Sequence, residues 1–239
     1  MPDLAYKRIV LKISGEGLCT PGTGGIDAGE LERIGHEIKA VVDIGTQVGL
    51  VIGGGNIVRG GDLAKRIQID ETAAHYMGML ATVINAIAVQ EVLESIGVDT
   101  RVQSAIAIDR VCESFVRRRA IRHLEKGRVV VFAGGTGNPF VTTDTAAALR
   151  ASEIGADALL KATKVDGVYT ADPVNNPDAE MHTQLTYNEF LDRRLGVMDL
   201  SAILMCQQNR IPVVVFNLRE SGNMRAVVEG RAIGTIVAE

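Results

Sequence analysis

The sequence predicts an α/β fold with parallel strands, and two observations carry that expectation. Stretches of β-like and helical periodicity alternate along all 239 residues, the pattern left by successive strand–helix–strand crossovers. Three apolar stretches also run straight into glycine-rich loops: Ile9 to Ile13 into Ser14-Gly15, Val48 to Ile52 into Gly53-Gly54-Gly55-Asn56, and Val129 to Ala133 into Gly134-Gly135-Thr136-Gly137-Asn138. Glycine lets the main chain approach an anion with no Cβ in the way, and successive N–H groups then point at the same oxygens. One Gly-Gly alone reads as an ordinary turn. Three at the carboxyl ends of strands predict a site for more than one phosphorylated group, because ligands of open α/β sheets bind at that edge.

In order along the chain, the first strand holds a cation, Lys12, just before its loop. It reads either as an exposed strand-end lysine or as a group reaching a phosphate. Asp27 caps a helix whose Leu31, Ile34, Ile38, Val41 and Val42 form a 3.6-residue apolar face ending near Gly45. After the second strand, Asp70 caps a long helix through Met77, Leu80, Val83, Ile84, Ile87 and Val92, which stops at Gly97 before a strand over Asp99 to Gln103. A helix at Val116 to Leu124, a strand at Arg128 to Ala133, a helix at Asp144 to Ile154 and a strand at Asp157 to Ala162 follow. Pro173, Asn175, Asn176 and Pro177 then mark a long surface loop. Helices near Tyr187 to Leu195 and Asp199 to Gln208, a strand at Pro212 to Phe216, a helix at Met224 to Glu229 and a last strand at Thr235 to Ala238 complete the pattern.

Composition narrows the function classes. A hydrophobic fraction of 46% suffices for a large core, and 25 basic against 29 acidic residues leave a net charge of -4, with no electrostatic footprint for nucleic acid or membrane. The run Arg117, Arg118, Arg119, Arg122 reads as a solvated or subunit-facing helix surface. Cys19, Cys112 and Cys206 are odd in number and lack any Cys-x-x-Cys pairing, which argues against disulfides and zinc and for a reducing cytosol. No export signal or apolar run near 18 residues is read, so neither secretion nor membrane insertion is expected. Walker, dinucleotide, His-Glu-x-x-His and Gly-x-Ser-x-Gly patterns are all absent.

The strings Lys12-Ile13-Ser14-Gly15-Glu16, Val51 to Asn56 with Arg59, Met77-Gly78-Met79-Leu80-Ala81-Thr82, Gly135-Thr136-Gly137-Asn138-Pro139-Phe140 and Lys161 to Tyr169 together resemble the bacterial uridylate (UMP) kinases of the amino-acid-kinase superfamily, in order and over essentially the whole chain. The resemblance implies a three-layer α/β/α sandwich with a largely parallel central sheet. It implies a single domain, with an acceptor-binding part at about 1–160 and an ATP-binding part at about 161–239. The implied reaction is transfer of the γ-phosphoryl group of Mg-ATP to UMP for pyrimidine nucleotide supply. By the same resemblance Lys12 holds the transferring group, Ile13, Ser14, Gly15 and Gly55 line the ATP phosphates, and Arg59 bridges donor and acceptor. Gly54, Thr136, Gly137, Asn138, Pro139, Phe140, Val141, Thr142 and Thr143 hold UMP, with His75 expected beside them from its position, and Thr163, Tyr169 and Asp172 bind the ATP nucleoside. Asp144 and Asp199 match acidic positions that orient Lys12 or organise Mg²⁺ with the phosphates; read as residues alone, either also fits a helix cap. Phosphoryl transfer needs positioned cations and amides more than a nucleophile, and UMP brings its own ionised oxygen, in keeping with a site without a histidine dyad.

The family is commonly a cytoplasmic homohexamer, activated by GTP and inhibited by UTP. The loop Thr20-Pro21-Gly22-Thr23-Gly24-Gly25 and Arg101 match positions associated with GTP, while Asp109 stands where a polar amide is usual, so weak activation is expected. A second departure is His75, where the family usually has an aspartate on the UMP ribose. A neutral imidazole offers one acceptor and one donor instead of a carboxylate's acceptors, and Glu71, one turn earlier, is expected to help shape that pocket. Two rival readings are a sister kinase acting on another phosphate or carboxylate, and a non-catalytic nucleotide-binding protein.

Overall fold

The computed structural model describes residues 4–20, 22–58, 69–173 and 175–239. The expected Arg59 and Pro21 contributions lie outside the described residues. Chain order begins β1 (Arg8–Ile13), a single 3₁₀ turn (Gly15–Leu18), α1 (Ala28–Val42), β2 (Gln47–Ile52), α2 (Glu71–Ser95), β3 (Thr100–Ser104), β4 (Glu113–Ser114) and α3 (Arg117–Glu125). It continues with β5 (Val129–Ala133), α4 (Thr143–Ile154), β6 (Ala158–Thr163), β7 (Val168–Tyr169), β8 (Met181–His182), β9 (Gln184–Thr186) and α5 (Tyr187–Asp192). The last elements are α6 (Leu200–Gln208), β10 (Val213–Asn217), α7 (Asn223–Val228) and β11 (Thr235–Ala238).

Among the described residues nine strands form one sheet in the order β4-β3-β5-β2-β1-β6-β10-β11-β9, parallel except for the β10–β11 pair. The strand runs Val129–Ala133 and Val213–Asn217 are buried at every position, as expected for a sheet covered on both faces. Alternation assigns the faces. Ile9, Leu11 and Ile13 join the core with Ile34 and Ile38 of α1, Val83 and Leu93 of α2 and Val227 of α7. Val10, Leu159 and Val215 join the other core with Leu124 of α3, Ala147 and Ala151 of α4, Phe190 of α5 and Ile203 of α6. The result is the expected three-layer sandwich.

Four expectations needed correction. The surface loop after β6 contains the antiparallel ribbon β7–β8, and β9 pairs parallel to β11; strands of two or three residues are too short for a period-2 signal. Asp144 does not cap α4: Thr142 does, its hydroxyl accepting from the amides of Asp144 and Thr145 at 3.2 and 3.3 Å. Asp199 sits at the N-cap position of α6 but its side chain makes no capping bond. Finally, α2 is long and apolar enough to cross a membrane by composition alone, with mean hydropathy 1.4 over its most apolar window, contrary to the expectation that no run approaches that length. Its inward side, Val83, Ala86, Val89 and Leu93, is built into the core.

Because β1, β2, β5 and β6 are parallel neighbours, their carboxyl ends share one edge, and the three glycine-rich loops lie along it. From β1 the chain moves to β2 and on to β3 and β4 at the edge, returns to insert β5 between β3 and β2, and then crosses to place β6 on the other side of β1. The β1–β6 junction is therefore a reversal in strand order, the position where such sheets leave a crevice.

Candidate active site

Lys12 and Lys161 are register partners on β1 and β6, so both side chains leave the same face of the sheet side by side. Both are buried, 6% and 8% exposed, which excludes the strand-end reading of Lys12. Two adjacent ammonium groups in a protein interior require a counter-ion, since an unpaired buried charge costs several kcal/mol (about 3–5). The counter-ion is Asp144 in the first turn of α4. Its Oδ1 lies 2.5 Å from Lys12 Nζ, and Lys161 Nζ donates to both carboxylate oxygens at 2.5 and 2.6 Å. Burial works against charge on Asp144, but the two ammonium groups outweigh it and hold its carboxyl below the ordinary carboxylate range. On Lys161, burial first and the Lys12 charge second act against the proton and bring its ammonium down to about 8. Lys161 is the site residue that sequence reasoning overlooked. The available signal was the one that singled out Lys12, a lysine inside an otherwise apolar parallel strand.

The donors around this cluster come from tightly fitted backbone. A Cβ on Gly15 would lie 2.5 Å from Asn56 Oδ1 and 2.7 Å from the Gly55 nitrogen, so the first two glycine loops touch main chain to main chain. Gly54 fits equally closely against α2: an added Cβ would stand 2.6 Å from the Gly78 carbonyl oxygen and 2.8 Å from Ala81 Cβ. That packing gives the Met77-Gly78-Met79 string a physical reason. Thr82, one turn later, accepts a hydrogen bond from the Gly134 amide at 2.8 Å and so ties α2 to the third loop.

Gly54, Val58, Ala74, His75, Gly78, Met79, Thr82, Gly135 and Val141 to Thr143 line a pocket of about 150 Å³. Of the expected UMP residues, Gly54, His75, Val141, Thr142 and Thr143 therefore converge. Thr136, Gly137, Asn138 and Pro139 lie in the adjoining loop and do not line it. Phe140 is 63% exposed and lays its ring against His75 at 4.7 Å between centroids. Glu71 Oε1 stands 3.9 Å from His75 Nε2 but does not itself line the pocket. Thr142 links the pocket to the other half of the site, because its hydroxyl donates to the Asp199 carboxylate, beside a 2.8 Å hydrogen bond between Thr145 and Ser201 hydroxyls.

A separate cleft of about 530 Å³ is lined by Val165, Gly167 to Pro173 and Arg193 to Val197, and it contains Tyr169 and Asp172. Thr163 does not reach it. Its hydroxyl donates to the carbonyls of Val165 and Phe216 at 2.6 and 3.2 Å, and the residue borders a small recess with Ile13 and Ser14. Arg101 is also apart from the loop at Thr20 to Gly25: it pairs with Glu94 at 3.1 Å, whereas Gly25 donates to the Asn56 carbonyl at 2.8 Å. Asp109 accepts from the Ser114 hydroxyl at 2.9 Å. Among the described residues no group of three or more His, Cys, Asp or Glu side chains could hold a metal, and both oxygens of Asp144 are already engaged by ammonium groups.

Comparison with known proteins adds a second line of observation. The amino acid kinase family profile matches residues 7–217. The uridylate kinase of Paramagnetospirillum magneticum is 58% identical over 236 residues, covering 99% of this chain and 98% of that protein. That of Methylococcus capsulatus is 55% identical over 237 residues, covering 99% of each. The crystal structure of UMP kinase from Bacillus anthracis superposes with a TM-score of 0.95 at 41% identity, covering 98% of this chain and 96% of that one.

Proposed function

The chain belongs to the amino acid kinase family and to its uridylate kinase branch, and from that premise we propose that it transfers the γ-phosphoryl group of Mg-ATP to UMP, giving ADP and UDP. The observation that carries the reading is the buried Lys12–Asp144–Lys161 cluster at the reversal of strand order, ringed by the glycine-rich loops. Charge moves through the transferring group in this chemistry, and preorganised cations and amides act on it most strongly where water is excluded. Lys12 takes the oxygens of the group in flight. Lys161 stays on Asp144 and adds positive potential, and Asp144 holds both ammonium groups in place. The acceptor is a phosphate oxygen, already ionised, so no general base is required.

UMP occupies the His75 pocket, with its phosphate toward Gly54 and the amino end of α4, and the ATP nucleoside lies in the Tyr169–Asp172 cleft. The Thr142–Asp199 contact joins these acceptor and donor parts of what we take to be one domain. Mg²⁺ enters as part of the nucleotide substrate, carried on its phosphates; the donor set offers no protein cage for it. Cytoplasmic location, a homohexamer and control by GTP and UTP belong to the same reading. Exposed Tyr76, Leu80 and Ile84 on α2, spaced one turn apart, support an interface between copies.

An assay of ADP release with UMP, CMP, AMP and several acidic metabolites tests the proposal. Turnover selective for UMP is the expected result. Turnover of another acceptor moves the chain to a sister activity, and nucleotide binding without turnover removes the enzymatic reading.

A further inference from the structure

Asn85 lies in the middle of α2, fully buried among Val83, Ala86 and Val89, where an apolar residue would pack at no polar cost. Every polar hydrogen it carries is used. Its Nδ2 donates to the Gly53 carbonyl at 2.8 Å and to Asn56 Oδ1 at 2.7 Å. In return Asn56 Nδ2 donates to Asn85 Oδ1 at 3.0 Å and to the Gly25 carbonyl at 2.7 Å, while the Gly25 amide donates to the Asn56 carbonyl at 2.8 Å. The same Asn56 Oδ1 is the atom against which Gly15 is packed. Two carboxamides thus join the loop after β1, the loop after β2 and the segment ending at Gly25.

The peptide between Gly53 and Gly54 explains what this accomplishes. In a trans peptide the C=O and N–H point in opposite directions. Tying the Gly53 carbonyl to Asn85 on the α2 side therefore turns the Gly54 N–H away from α2. Glycine holds no such orientation by itself, since it loses more conformational freedom on ordering than any other residue. A hydrogen-bonded buried network costs desolvation that apolar packing does not, and its return is a single arrangement of the groups it binds.

We propose that Asn85, acting through Asn56, is a positioning residue for phosphoryl transfer: it sets the orientation of the Gly53–Gly55 loop against Gly15. The inference rests on the phosphotransfer reading above, and wild-type turnover of UMP with Mg-ATP is measured first so that failure of that reading is recognised separately. The variants are Asn85→Ala, Asn56→Ala, their double, Asn85→Asp, and Val89→Ala as a control for lost packing on the same helix. Misplacement of reacting groups by about 1 Å can cost ~100-fold, so kcat/KM should fall between about 10- and 100-fold in each Asn→Ala variant. The double variant should be no worse than the poorer single, because one device is removed once. Asn85→Asp should recover activity as pH is lowered from 8 to 6, since a carboxyl facing the Gly53 carbonyl must be protonated to donate. Val89→Ala should lower the melting temperature at least as much while kcat/KM stays within about twofold of wild type. Equal kinetic losses in Val89→Ala and Asn85→Ala, additive losses in the double variant, or an Asn85→Asp pH profile parallel to wild type would each overturn the proposal. Calorimetric titration with a non-hydrolysable ATP analogue reads the same loop without chemistry; unchanged affinity together with unchanged kcat in Asn85→Ala would also end it.

Discussion

Replacing Asp144 by asparagine keeps the shape of the side chain and removes the one negative charge between two buried ammonium groups. In the native site that carboxylate receives Lys12 at 2.5 Å and Lys161 at 2.5 and 2.6 Å, and the two lysines are buried neighbours in register. Breaking a buried pair by removing one partner costs about 3–5 kcal/mol. For a chain of this size each kcal/mol moves the melting temperature by roughly 2–4 °C, so Asp144→Asn should melt roughly 6–20 °C lower near neutral pH. The sign of the pH dependence follows from Lys161. Its folded-state pKa, about 8, lies below the 10.5 of the free side chain, so the unfolded chain binds more protons between these values and stability from this group rises with pH across that window. Without Asp144 the folded pKa falls further and the window extends downward, so the melting temperature of the variant should begin to climb at lower pH than that of wild type, the added slope lying below about pH 8. Losing the charged geometry should lower kcat about 10²- to 10³-fold. Calorimetric or fluorescence melting from pH 6 to 10, paired with ADP-release kinetics, checks all three. A variant melting within 2 °C of wild type, roughly the smallest shift one kcal/mol gives, and retaining kcat within about threefold, far below the loss of one preorganised donor, would refute the role given to the cluster.

Lys12→Ala should lower kcat about 10²- to 10³-fold with a much smaller change in KM for ATP, since the ammonium acts on charge that develops in transit; a raised KM at normal kcat would contradict this. Wild type should show an alkaline fall in kcat near pH 8 as the Lys161 ammonium titrates, Lys161→Gln should abolish it, and a pH–rate profile of both proteins reads it directly. Glu71→Gln and His75→Ala should each raise KM for UMP by the equivalent of one lost hydrogen bond, about 1–3 kcal/mol, while KM for ATP holds; the larger effect belongs to His75, which lines the pocket and carries Phe140. GTP should stimulate weakly or not at all, and several-fold stimulation by submillimolar GTP, lost in Arg101→Ala, would contradict that.

The strands and helices were legible where period and length were long enough to register. The buried runs of β5 and β10 and the 3.6-residue face of α1 appear in the structure within one or two residues of their sequence bounds. Ribbon β7–β8 and strand β9 were not, because pairing rather than local pattern makes them strands. The glycine loops announced the site, since close approach of backbone to backbone leaves a compositional trace. Lys161 and Asn85 left only a weak one: each is a single polar residue in an apolar element, and its meaning depends on a partner in another element, Asp144 on α4 in one case and Asn56 after β2 in the other. The cap of α4 was read at Asp144 when it is Thr142, two residues earlier, because both are good caps, and only the demand of two lysines for a counter-ion decides between them.

The most direct test of the central claim follows the phosphorus. ³¹P NMR of Mg-ATP, UMP and the enzyme should show the ATP γ resonance decline as the paired α and β resonances of UDP grow in equal amount, with this transfer nearly absent in Lys12→Ala. Release of inorganic phosphate without UDP, or equal UDP formation by wild type and Lys12→Ala, would contradict it.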